Sequence, residues 1–184
     1  MGKSMLAYSV VATLIAMVVT MIYIALRFEY RFAIAAILSL IHDPVLILGV
    51  FSFFQIEFTM ITLAALLTTL GYSLNDTIVV YDRIRENYRK FVNKTPVEIV
   101  NLSINETLSR TIITSGLTAL SVLALLLFGG ETLYGFSLAF LIGIVIGTYS
   151  SIYIAGSLAV IFGFNSQSLL TFKQKYQGEL DDYS

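Results

Sequence analysis

Five apolar runs, at about residues 6–26, 32–54, 59–81, 111–128 and 133–162, leave this chain few folds to choose from. Each is near the roughly 20 residues a helix needs to cross a bilayer. In hydrocarbon every backbone polar group must pair inside the protein, so only helices and closed barrels span it. Barrel strands alternate apolar and polar residues with period two, and these runs do not. The sequence therefore predicts an all-α, polytopic membrane protein with five transmembrane helices. Composition agrees: 57% of residues are hydrophobic and 12% charged, against about 25% charged in soluble domains. No linker or low-complexity tract divides the runs, so residues 1–163 read as one transmembrane domain and 164–184 as a polar C-terminal tail.

Charge placement orients the predicted spans. Arg27 and Arg31 lie in the first connection, and Arg83, Arg85, Arg89, Lys90 and Lys94 in the third. Lys173 and Lys175 lie in the tail, whereas the connections around Gln55–Ile56–Glu57 and Gly129–Gly130–Glu131 hold neither Lys nor Arg. By the positive-inside rule the first and third connections and the C-terminus are cytoplasmic, and the N-terminus is outside. A chain starting outside with nothing before it must insert its first helix N-out. The expectation is that this sequence is the C-terminal part of a longer protein.

The third connection has its own start signal. Thr95–Pro96–Val97–Glu98 offers an N-cap threonine, proline at the first helical position and glutamate three residues after the cap. Val97, Val100, Ile104 and Leu108 follow at helical spacing. This predicts an amphipathic cytoplasmic helix over 96–109 that feeds the fourth span.

Asp76 sits inside the third apolar run, within Gly71–Tyr72–Ser73–Leu74–Asn75–Asp76–Thr77. An ionised side chain there costs at least about 2.5–3.5 kcal/mol on insertion scales, which makes it a candidate for ion or proton movement. Ser73, Tyr72, Thr69 and Thr62 share its side of the helix. Arg110, at the start of the fourth span, is a candidate partner, with Thr114, Thr118 and Ser121 climbing from it at helical spacing. Spacing leaves two readings of Arg110 open: a partner for Asp76, or an anchor that snorkels to lipid headgroups. His42–Asp43–Pro44 interrupts the second span. Proline there predicts a kink. His42 is either part of a proton path or half of a hydrogen-bonded pair that holds the kink. Asp82 and Arg83 read as a solvated pair at the end of the third span.

Gly143, Gly147, Ser151 and Ala155 recur every four residues in the last span, a pattern of close helix packing without chemistry. With no cysteine and a single histidine, disulfides, thiolate chemistry and structural zinc are excluded or disfavoured. No nucleophile elbow, phosphate-binding loop or hydrolytic carboxylate pair is present, so no enzyme activity and no bound cofactor are expected. Nothing suggests nucleic-acid binding.

Several motifs together resemble the SecF family of export-machinery subunits, in its C-terminal membrane half. They are Arg27–Phe28–Glu29–Tyr30–Arg31–Phe32–Ala33, Ile41–His42–Asp43, the run from Gly71 to Asn87, Arg110–Thr111–Ile112–Ile113–Thr114–Ser115–Gly116, Phe128–Gly129–Gly130 and Gly143–Tyr153. The resemblance implies a fold similar to half of a resistance-nodulation-division transporter membrane domain. It implies partnership with SecD and the SecYEG channel, with YajC, YidC and the translocating preprotein as further expected partners. It places the protein in the bacterial cytoplasmic membrane, where the proton-motive force assists protein export. It also implies a proton relay at Asp76 and Arg110, with Asn75, Ser73, Thr114, Thr118, His42 and Asp43 as supporting polar residues. SecF proteins carry a first span and a periplasmic domain ahead of the region matched here, and Pro44 stands where an aliphatic residue is expected.

Two other classes stay open at this level. One is half of a proton-coupled small-molecule or lipid exporter, and the other a purely structural translocon subunit. A carboxylate serves protons or sodium ions equally.

Overall fold

The computed structural model describes residues 2–27, 30–91 and 94–163. The predicted tail 164–184, and Phe28 and Glu29 of the first motif, lie outside the described residues. Every element described is helical: α1 Gly2–Arg27, α2 Tyr30–Phe53, α3 Met60–Lys90, α4 Pro96–Phe128, α5 Gly130–Tyr149, a π-helical turn Ser150–Ile154, and α6 Ala155–Gly163. The last three run on as one rod. Four helical stretches, Phe32–Phe53, Met60–Lys90, Pro96–Phe128 and Gly130–Phe162, are long and apolar enough to cross a membrane. In α1 the described apolar stretch is shorter, Val11–Ala25. The chain is a polytopic helical membrane protein.

Local sequence explains the helix ends. Thr95 caps α4 through a reciprocal box: its hydroxyl accepts the Glu98 N–H at 3.3 Å, and the Glu98 carboxylate accepts the Thr95 N–H at 2.7 Å. Thr59 caps α3 by accepting the Thr62 N–H at 3.2 Å. The end of α2 is a Schellman turn, in which Gln55 N–H reaches Ser52 O and Ile56 N–H reaches Phe51 O. Gln55 holds the left-handed position, φ 54°, where glycine is usual. Its side-chain amide donates to Ser52 O at 2.7 Å, a local bond that favours the turn.

α2 runs through Pro44 as one continuous helix; proline removes a single backbone donor, and the bonds on either side carry the helix past it. The amphipathic helix predicted at 96–109 and the fourth span are one element of 33 residues, while α3 continues to Lys90 as a helix of 31. At 1.5 Å per residue each is about 46–50 Å long, well beyond a hydrocarbon core of about 30 Å. The excess of α3 and the start of α4 form an antiparallel pair. Buried Asn87 joins them, donating to Ser103 at 3.0 Å and Glu106 at 2.6 Å, and Arg83 donates to Glu106 at 2.6 Å.

Packing divides the bundle into three layers. One apolar layer contains Phe32, Ala36, Val80, Tyr81, Ile84, Val100 and Ala159. A second contains Ile47, Phe51, Ala65, Val122, Ala139, Phe140 and Ile144. Between them, on every inner helix, the buried positions turn polar: Ser39 and Asp43 on α2, Thr69, Ser73, Asp76 and Thr77 on α3, Thr107, Thr111 and Ser115 on α4, and Ser150 and Ser151 after α5. Cross-helix hydrogen bonds, Ser73 to Asp43, Tyr72 to Ser115 and Ser39 to Ser150, bring the middle of this set together.

Glycine lets α5 approach α3 at this level. A Cβ on Gly143 would collide with the Thr69 side chain, and one on Gly147 would lie 3.0 Å from Ser73 Cβ. Ser151 is fully buried on the same rod. Gly143→Val is expected to lower stability by about 1–3 kcal/mol through overpacking. Adding Thr69→Ala should recover part of that loss in thermal unfolding of the detergent-solubilised protein; no recovery would mean that the two residues do not meet.

Candidate functional site

The polar layer holds two buried carboxylates, Asp76 on α3 and Asp43 on α2, at 5% and 0% exposure. A helix from Met60 to Lys90 places Thr62, Thr69, Ser73 and Asp76 on its buried face, the stripe expected from spacing. Asp76 is the more weakly partnered carboxylate. Its Oδ2 is buried without a hydrogen-bond partner. The Ser115 hydroxyl of α4 is the group placed to hydrogen-bond the carboxylate, and the Arg110 charge acts on it through space.

Ser115 is the junction of three helices. Its oxygen accepts from the Tyr72 hydroxyl of α3 at 3.3 Å and from the Thr148 hydroxyl of α5 at 2.8 Å. Both lone pairs are then engaged, which leaves its own hydrogen to face Asp76. A buried carboxylate met by one hydroxyl is far cheaper neutral than ionised. The arrangement therefore suits a group that gains and loses a proton.

Arg110 forms no salt bridge with Asp76 and lies on the exposed side of α4. The stripe above it diverges from expectation. Thr114 and Ser121 are exposed and Thr118 half-buried. All three hydroxyls bond back into their own helix, at 2.9 Å to Arg110 O, 2.8 Å to Thr114 O and 3.0 Å to Leu117 O. The inward face of α4 is instead Ser103, Thr107, Thr111 and Ser115. That four-residue spacing is legible in the sequence, but so is the rival stripe, and spacing does not choose between faces.

Asn75 is exposed beside Asp76. Asp43 accepts from the Ser73 hydroxyl at 2.5 Å and lies 3.2 Å from His42 Nδ1. Gly147 packs over both, and a Cβ there would sit 3.7 Å from Asp43 Oδ2. Ser39 and Ser150 hydroxyls pair at 2.7 Å, and Tyr81 donates to Ala155 O at 3.2 Å just past the π-helical turn. Thr148 and Ser150 went unread in the sequence because isolated hydroxyls are common in membrane helices, and Ser115 because its stripe on α4 competes with that of Thr114 and Thr118. Among the described residues no cluster of His, Cys, Asp and Glu could hold a metal ion.

A family described as protein export membrane protein SecD/SecF, C-terminal, matches residues 1–165. The protein translocase subunit SecF of Vibrio alginolyticus is 49% identical over 172 residues, covering 93% of this chain and 55% of that protein. The SecF of Escherichia coli O157:H7 is 45% identical over 177 residues, covering 96% of this chain and 55% of that protein. This chain thus spans about half the length of the curated relatives it matches. A crystal structure of SecDF in a super-membrane-facing form superimposes with TM-score 0.79 at 40% identity, over 100% of this chain and 24% of that one. SecDF from Thermus thermophilus, described as a translocon-associated membrane protein, gives 0.73 at 50% identity over 77% of this chain and 20% of its own.

Ser115→Ala is expected to cost about 1–3 kcal/mol, because the Tyr72 and Thr148 donors lose their acceptor. Thr148→Val should then cost less in the Ser115→Ala background than in the parent, by about 0.5 kcal/mol or more. Strictly additive losses in denaturant unfolding would show that the three hydroxyls are not a unit.

Proposed function

The chain belongs to the SecD/SecF C-terminal family of protein export membrane proteins, and from that premise we propose that it is the membrane half of a SecF subunit. With SecD it uses proton movement through this bundle to assist Sec-dependent translocation across the bacterial cytoplasmic membrane. The role is coupling rather than enzymatic catalysis. Its basic connections face the cytoplasm, as does its C-terminus. SecYEG is the channel it serves, with YajC and YidC as accessory partners and the preprotein as cargo.

The observation that carries this reading is the buried, half-partnered carboxylate of Asp76. Protonated, it is neutral and tolerates the dry polar layer. Deprotonated, it calls for the Ser115 hydrogen and for Arg110, which reaches it only through space in this arrangement. Bringing Arg110 inward would stabilise the ionised form, and withdrawing it would favour proton uptake. A cycle that alternates these states passes a proton from one face to the other and moves helices α3 and α4 against each other. One charge crossing 100 mV supplies about 2.3 kcal/mol, enough to bias such a two-state equilibrium substantially.

Asp76→Asn keeps the shape and removes the titration. In vesicles containing the assembled SecD–SecF complex, it is expected to abolish the stimulation of export by a proton gradient while assembly persists. Full stimulation in that variant would overturn the mechanism. Stimulation that follows an imposed sodium gradient and ignores the proton gradient would replace the coupling ion. Arg110→Gln should reduce stimulation more than Arg110→Lys, which keeps the charge; equal effects would mean that the charge is not what matters.

A further inference from the structure

Asp43 is fully buried, yet its carboxylate is met by only two groups: the Ser73 hydroxyl at 2.5 Å on Oδ2 and the His42 ring at 3.2 Å on Oδ1. No Lys or Arg pairs with it among the described residues. From α3 it faces Ser73, and from α5 it faces the bare backbone of Gly147. Its neighbour His42 is 29% exposed, so the imidazole lies between the sealed carboxylate and the outer face of α2. Ser73 lies one helical turn before Asp76, on the same buried face of α3. The hydroxyl that touches Asp43 is therefore a polar side chain one helical turn from Asp76 on its own helix.

We propose that Asp43 is a second protonatable site, in series with Asp76, exchanging protons with it through the Ser73 hydroxyl and water and with the His42 ring on its other oxygen. This rests on the proton-coupled reading above and adds a station to it. For transfer from Asp76, Ser73 gives its hydrogen to Asp43 Oδ2 as its oxygen takes one, by way of a water molecule, from the Asp76 carboxyl. Asp76 loses one proton, Asp43 gains one, and Ser73 ends neutral. Rotation of the Asp43 carboxyl carries that proton to the side of Oδ1, where His42 Nδ1 accepts it; Asp43 returns to the carboxylate and His42 holds the proton as imidazolium. The backbone of Gly147 closes the third side, so the exchange stays within the α2–α3 seam. The competing arrangement is a fixed ion pair, an imidazolium beside a permanently ionised carboxylate, which would only brace the helices.

The test uses the assembled SecD–SecF complex in liposomes, with proton flux read by an entrapped pH dye under an imposed potential and carboxyl protonation read by infrared difference spectroscopy. Losing a positioned proton-transfer group should lower flux by about a hundredfold or more. That is expected for Asp43→Asn. Ser73→Ala keeps both carboxylates and should also slow flux. The spectrum should contain two protonated-carboxyl C=O bands, one lost in Asp76→Asn and the other in Asp43→Asn. Flux at the parental level in Asp43→Asn or Ser73→Ala overturns the proposal, as does an Asp43→Asn spectrum with no band missing. If Asp43→Asn does not assemble, Ser73→Ala decides by its flux. Asp76→Asn separates the two levels of inference. Loss of flux there with parental flux in Ser73→Ala defeats the Asp43 site alone, whereas parental flux in Asp76→Asn defeats the coupled reading and this site with it.

Discussion

The approach of α5 to α3 depends on two side chains being absent, those of Gly143 and Gly147. Any Cβ at Gly143 would strike Thr69, and one at Gly147 would press on Ser73. Because the backbone fits there, hydroxyls and carboxylates of the middle layer are sealed from lipid by peptide rather than by bulky side chains. Polar groups at this depth need such a seal, since lipid offers them no partner. Apolar layers above and below keep the seal closed along the bundle axis.

Within that layer, satisfaction is uneven, and the unevenness is what makes function legible. Some hydroxyls spend themselves locally, as Thr69 does on Ala65 O at 2.9 Å and Thr107 on Ser103 O at 2.9 Å. Others bridge helices: Thr148 and Tyr72 meet at Ser115, and Ser39 meets Ser150. Among the described residues, Asp76 is the buried carboxylate that keeps an oxygen without a partner. Buried polar networks are expensive when incomplete. The incomplete partnering of Asp76 is the feature on which the proposed proton coupling rests.

The extension of α3 and α4 beyond the hydrocarbon adds a lever. Asn87, Ser103, Glu106 and Arg83 fasten the two helices outside the span. Buried Asn87 gives this clasp more grip than its exposed ion pairs, since surface pairs contribute about 0–1 kcal/mol. A shift of α4 that moves Arg110 toward Asp76 would be felt along the whole rod, because the span and the segment before it are a single helix.

Much of the architecture was readable without coordinates. Run length and the absence of period-two alternation required helices, the Thr95–Glu98 box marked where α4 begins, and Asp76 stood out because hydrocarbon penalises a carboxylate wherever it sits. The small-residue stripe at Gly143 and Gly147 announced close packing, though not against which helix. What required the tertiary structure was rotation. α4 carries two hydroxyl stripes, and only packing turned Ser103, Thr107, Thr111 and Ser115 inward and left Thr114 and Ser121 outside. Register across helices was likewise invisible: nothing in the chain announces that Ser73 meets Asp43 thirty residues away. Residue type and run length already dictate that polar groups lie within membrane-spanning helices, because the cost of burial depends on both. Which of them meet follows from packing, because hydrogen bonds depend on distances between helices that no single helix encodes.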